Sequence, residues 1–219
     1  MILTQVTLND RHARTRAMLG NHYLLHQLLS TCLEGRAAPS GRAYQWVLED
    51  DDLTMRPRVL LLTDQAVDAA AFDQAAPGCV LDVRARPYRL PEQVHAGDTL
   101  AFKVRANTTR NTYPNATPDR RGRPKRVALL ATDEQRTWLK RTGTRAGFTV
   151  LSADVLRSEP LPLRKQGVTM CVHAVTFTGQ LRVTDPAALQ NAVRRGLGPA
   201  KGFGLGLLLL SFGARSACE

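Results

Sequence analysis

The sequence predicts an α+β protein made of two tandem βαββαβ units. Three observations carry that reading. Short runs of alternating apolar residues recur along the chain, each half shows the order strand, helix, strand, strand, helix, strand, and the charge divides between the halves. Residues 1–97 hold 10 arginines, no lysine and 11 acidic residues, a net charge of −1, whereas residues 98–219 hold 20 basic against 8 acidic residues, a net of +12. The 219 residues allow one large domain or two of about 100. A hydrophobic share of 43% excludes a disordered or collagen-like chain.

In the first half, Met1–Leu8 alternates as a strand, and residues 13–33 follow as a helix with Met18, Leu25, Leu28, Leu29 and Cys32 on its apolar side. Ala43–Leu48 and Arg58–Leu62 are the next strands. Asp64 is the expected N-cap of a short helix reaching about Phe72, and Cys79–Val83 opens a fourth strand that fades near Pro91. The second half repeats the order with a strand at Thr99–Ala106 and a basic, Pro-containing loop at 107–126. A helix at Asp133–Arg145, a strand at Phe148–Leu156 and a Pro-rich hairpin tip at Arg157–Gly167 come next. Val168–Val183 is a long strand, and Asp185 caps a helix to Arg195 that has Pro186 in its first turn. The glycine-rich Gly196–Gly206 leads to a last strand, Leu207–Phe212. The expected units are 1–92 and 98–219, both ferredoxin-like, an order that RNA-recognition modules share.

The apolar run Leu205–Leu210 is far shorter than the roughly 20 residues a membrane helix needs. The opening strand is unlike a signal peptide, so a soluble, cytoplasmic protein is expected. Cys32, Cys79, Cys171 and Cys218 form no Cys-x-x-Cys pair, and His12, His22, His26, His95 and His173 form no His-Glu-x-x-His pattern. No metal and no cofactor are expected. A basic half joined to a neutral half suits a polyanion, and nucleic acid is the expected partner.

Gly196–Gly206 has five glycines in eleven residues. A dinucleotide loop needs a strand before it and a helix after it, and here that order is reversed. A phosphate-binding P-loop needs Ser or Thr after Gly-Lys, but Gly202 follows Lys201. The remaining reading is backbone kept bare for close approach of a phosphate chain, beside Arg194, Arg195 and Lys201. On the first helix, Asn21 can cap the start, and Tyr23 and His26 are three apart on one face. Spacing alone leaves open whether these two line a cleft or are ordinary half-exposed residues.

The pattern Gly-hydrophobic-Gly, five residues, Gly-hydrophobic-Gly is met by Gly196-Leu197-Gly198 and Gly204-Leu205-Gly206. It resembles the signature loop of the repeat-associated (RAMP) proteins of CRISPR systems, and within them the chain resembles the type I-E CRISPR endoribonucleases, the CasE family. The resemblance extends over the opening strand, the Asn21–Ser30 helix start, the basic loop near 120–126 and the glycine loop. It implies tandem ferredoxin folds and a metal-independent endoribonuclease that cuts the repeat hairpin of precursor CRISPR RNA. It also implies that the protein stays on the crRNA with the other Cascade subunits.

Carried over residue by residue, the family's catalytic pair falls on His26, for proton transfer, and Tyr23, for the 2′-hydroxyl. His22, where relatives often carry Pro, is a possible second catalytic histidine. The RNA surface is expected at Arg120, Arg121, Arg123, Lys125 and Arg126. The hairpin tip should add Arg157, Arg164 and Lys165, and the glycine loop Gly196, Gly198, Lys201, Gly202 and Gly204. The alternative from a different class is a non-catalytic RNA-binding subunit of a ribonucleoprotein, with Tyr23 and His26 merely structural.

Overall fold

The computed structural model describes residues 1–33, 44–50, 56–111, 126–165 and 167–212. The first unit runs β1 (Ile2–Leu8), α1 (Ala13–Leu19), α2 (His22–Cys32), β2 (Tyr44–Glu49), β3 (Arg58–Thr63), α3 (Ala69–Ala75) and β4 (Val80–Pro87). Its strands form one antiparallel sheet in the order β2-β3-β1-β4. A short α4 (Leu90–Gln93) leads into β5 (Thr99–Ala106), the ladder of β6 (Thr109–Asn111) with β7 (Arg126–Ala128), and α5 (Thr132–Arg145). Then come β8 (Phe148–Lys165), β9 (Val168–Val183), α6 (Pro186–Arg195) and β10 (Leu208–Phe212), giving a second antiparallel sheet ordered β10-β5-β9-β8. In each unit the first and third strands are central and the second and fourth are edges, the ferredoxin-like topology in tandem.

The two-residue period of the strands sorts the core. Val6 and Leu8 of β1 join Trp46, Leu48, Val59 and Leu61 beneath the helices, against Met18, Leu25, Leu28, Leu29 and Phe72. Leu3, Val47 and Leu62 instead join the core of the second unit, with Leu100, Phe102, Phe177 and Leu208. Polar ties cross the same junction. Lys103 reaches Glu49 at 3.0 Å, and the Tyr88 hydroxyl exchanges hydrogen bonds with the Leu210 amide and carbonyl at 2.8 and 3.1 Å.

Three details differ from expectation. The helix read over 13–33 breaks at Gly20–Asn21, because Asn21 takes an extended backbone to cap a second helix. The short helix of the first half is capped by Asp68, whose carboxylate accepts from the Ala70 amide at 3.0 Å, and not by Asp64. The stretch read as a Pro-rich tip is strand as far as Lys165, so the turn lies beyond it. Pro160 and Pro162 are tolerated there because, among the described residues, β8 is an edge strand and pairs only with β9. Among the described residues no helix is long and apolar enough to cross a membrane.

Candidate active site

The site is built where α2 of the first unit meets β8 and the glycine loop of the second. Asn21 caps α2, its side chain accepting from the Tyr23 amide at 3.2 Å. This start phases the helix so that His22 and Leu25 turn inward while Tyr23 and His26 stay half-exposed on the rim.

His22 is buried beside Trp46, ring centroids 5.7 Å apart, and its Nδ1 donates to the Phe203 carbonyl at 2.9 Å. Burial pushes its pKa below the ordinary histidine value, with Arg105 adding to the drop and the Phe203 bond and Asp50 opposing it. His22 therefore stays uncharged at neutral pH and acts as a buried tie to the loop. Trp46 makes a second tie, its indole N–H donating to the Gly202 carbonyl at 3.3 Å. These two bonds hold the 3₁₀ turn Lys201–Phe203 against the first unit and bring Phe203 edge-on to His26, centroids 6.1 Å apart.

The His26 Nδ1 lies 3.4 Å from the Tyr44 hydroxyl, which lies 3.0 Å from Ser30 Oγ. That chain orients the imidazole from the sheet side. The Tyr23 ring sits 6.4 Å from His26, and the Lys165 ammonium lies 5.5 Å from the Tyr23 centroid. A proton-transfer group, a phenol and a cation are thus gathered on one rim, a combination suited to handling a phosphodiester. The sequence singles out Asn21 as the cap, but not Tyr44 and Phe203 as parts of this site. Their signal is absent from local spacing, since each meets its partner only through the fold.

Packing within the protein is one reason for glycine at Gly196, Gly198 and Gly204 of the loop. Gly204 has φ +79°, and a Cβ there would lie 2.6 Å from the Trp46 ring; at Gly198 (φ +74°) it would lie 2.9 Å from Trp138. At Gly196 the nearest atom is Oε1 of Gln45, at 2.5 Å. Gly202 contributes its carbonyl to Trp46, and Lys201 opens the 3₁₀ turn.

Of the expected basic surface, Arg120, Arg121, Arg123 and Lys125 lie outside the described residues, and Arg126 is exposed at the start of β7. Arg157 is not at a hairpin tip: it lies mid-strand in β8, ion-paired with Asp50 at 3.4 Å and Glu159 at 3.3 Å. Arg164 and Lys165 are exposed at the end of β8 beside α2.

Two ferredoxin-like units closed by this loop, with a Tyr-His pair at their junction, define the class of the protein. The chain matches the family described as CRISPR associated protein over residues 1–211, and it belongs to that family. Within it the chain is a type I-E CasE-like member. It is 31% identical over 221 residues to the CRISPR-associated endoribonuclease Cse3 of Thermus thermophilus, covering 95% of this chain and 98% of the relative. It is also 34% identical over 124 residues to the Cascade subunit CasE of Escherichia coli, covering 54% and 61%. A solved structure of Cse3 bound to a 19 nt RNA is similar with a TM-score of 0.81 at 30% identity, covering 96% of this chain and 100% of that one.

Proposed function

We propose that this protein is the endoribonuclease that cuts the repeat hairpin of precursor CRISPR RNA and remains on the mature crRNA within Cascade. The observation that carries the reading is the meeting of Tyr23, His26 and Lys165 on one rim, assembled from two units. Similarity to a Cse3 structure described as a pre-cleavage complex with RNA supports it, at a TM-score of 0.80 and 32% identity. In the proposed step the 2′-hydroxyl loses its proton and attacks the adjacent phosphorus while the bond to the 5′-oxygen breaks. A proton goes to that leaving oxygen, and the products are a 2′,3′-cyclic phosphate and a 5′-hydroxyl. His26 transfers the proton, Tyr23 positions or activates the 2′-hydroxyl, and Lys165 offsets charge on the phosphate.

Because these side chains supply both proton transfer and charge, cutting is expected to persist in excess EDTA. Product ends resolved by phosphatase and kinase treatment should be cyclic phosphate and 5′-hydroxyl. Loss of activity in EDTA with recovery in magnesium would refute the mechanism, and tight binding of an uncut hairpin would favour the non-catalytic subunit.

Affinity in this reading comes from phosphate contacts, and hairpin shape supplies the specificity. Neutralising Arg123, Lys125 and Arg126 together should flatten the slope of log K against log salt. Each lost contact is worth about 0.7–0.9 in that slope. An unchanged slope would mark the cluster as a solvated face.

A further inference from the structure

Asn21 makes more contacts than a helix cap needs. The Oδ1 that accepts from the Tyr23 amide also accepts from the Arg164 amide at 3.1 Å, and Nδ2 donates to the Arg164 carbonyl at 3.0 Å. A carboxamide presents an acceptor and a donor side by side, so it pairs with one residue's N–H and C=O as a neighbouring strand would. Edge strand β8 offers such unpaired backbone groups. The next residue along, Lys165, is the one whose ammonium sits over Tyr23. Two residues 143 positions apart are thereby clamped next to the reacting groups.

We propose that Asn21 is a positioning residue that fastens the β8–β9 hairpin to the start of α2 and so sets Lys165 against Tyr23. Gross docking of the hairpin does not depend on it. Leu161 and Leu163 of β8 are buried with Ala174 and Leu205, which packs the hairpin on the glycine loop, and that loop is tied to the first unit by His22 and Trp46. Asn21 instead fixes the last residues of the strand, where a small swing would carry Lys165 away from the phenol. For its activity arm the proposal rests on the cleavage reading above.

The test uses the full-length chain with Asn21→Ser. Serine caps a helix about as well as asparagine, but it is too short to pair with Arg164. Asn21→Asp is the second variant: it keeps the cap and sets a carboxylate against the Arg164 carbonyl. In RNA-free protein, exchange of the Arg164 amide should quicken in Asn21→Ser, which lacks the acceptor for it, while melting of both variants stays near wild type. Single-turnover cutting should fall about 10–100-fold, the scale of a small misplacement near a reacting centre. Hairpin affinity should stay within about threefold, because distant phosphate contacts set it. Lys165→Ala should slow the wild type yet add less than about threefold in the Asn21→Ser background, the non-additivity expected of coupled residues. Fully additive losses, an inert Lys165→Ala, or unchanged Arg164 exchange in Asn21→Ser would each overturn the proposal. If the wild-type protein does not cut, the cleavage reading falls and the exchange measurement alone decides on the clamp.

Discussion

His26→Ala is expected to lower single-turnover cleavage about 10²–10⁴-fold, the usual worth of a positioned acid or base, while hairpin affinity stays within a few-fold. Proton transfer matters in the transition state, whereas ground-state affinity comes from phosphates bound elsewhere. The imidazole is half-exposed and held by the Tyr44 hydroxyl at 3.4 Å and by the edge of Phe203. Alanine therefore removes a reactive group and leaves the buried face of α2 intact. Tyr23→Phe keeps the ring under Lys165 and removes only the hydroxyl, so it should slow cutting less. His22→Ala acts on a different quantity. It deletes the buried bond to the Phe203 carbonyl, and leaving such a group unpaired costs about 1–3 kcal/mol of stability. Its rate per folded molecule should remain within about tenfold of wild type. If none of the three variants slows cutting, this helix does not carry the chemistry.

What the sequence made legible was whatever depends on near neighbours along the chain. Alternation located the opening strand and β5, because a half-buried strand repeats every two residues. Asp185 followed by Pro186 marked the start of α6, and the carboxylate does accept from the Ala188 amide. Tyr23 and His26 were legible as one face because three residues nearly complete a helical turn. The break at Gly20 was legible only in part: Asn21 reads as a cap and does accept from the Tyr23 amide, but a glycine inside an apolar period is weak punctuation, so residues 13–33 read as one helix. The extent of β8 was hidden by Pro160 and Pro162, which argue against a strand until its edge position is known. At the site, Tyr44 and Phe203 could not be found because they reach His26 from other elements. The five glycines were conspicuous, yet the side chains packed against Gly196, Gly198 and Gly204 belong to Gln45, Trp138 and Trp46, remote in sequence.

That packing makes Gly204→Val the substitution with the largest expected effect on stability. Two separate costs act there. The backbone has φ +79°, a region that costs an L residue about 1–2 kcal/mol. The new Cβ would also start 2.6 Å from Cζ3 of Trp46, and overpacking of this kind costs about 1–3 kcal/mol. Trp46 is only 1% exposed and is tied to the Gly202 carbonyl, so it has little room to yield. The sum is about 2–5 kcal/mol, and at about 2–4 °C per kcal/mol for a chain of this size the melting temperature should fall clearly. Gly167→Val is the matched control. It has the same φ of +79°, but nothing lies within 4 Å of its Cβ position, so only the backbone cost applies. Any displacement of Trp46 passes to His22, 5.7 Å away, and through the Phe203 carbonyl to the ring that borders His26. Gly204→Val should therefore slow cutting even in the molecules that stay folded, whereas its effect on their salt-dependent affinity should be smaller. Calorimetric melts of the two variants decide the matter. A clearly larger fall for Gly204→Val is the expected result, and equal falls would show that Trp46 does not confine the loop.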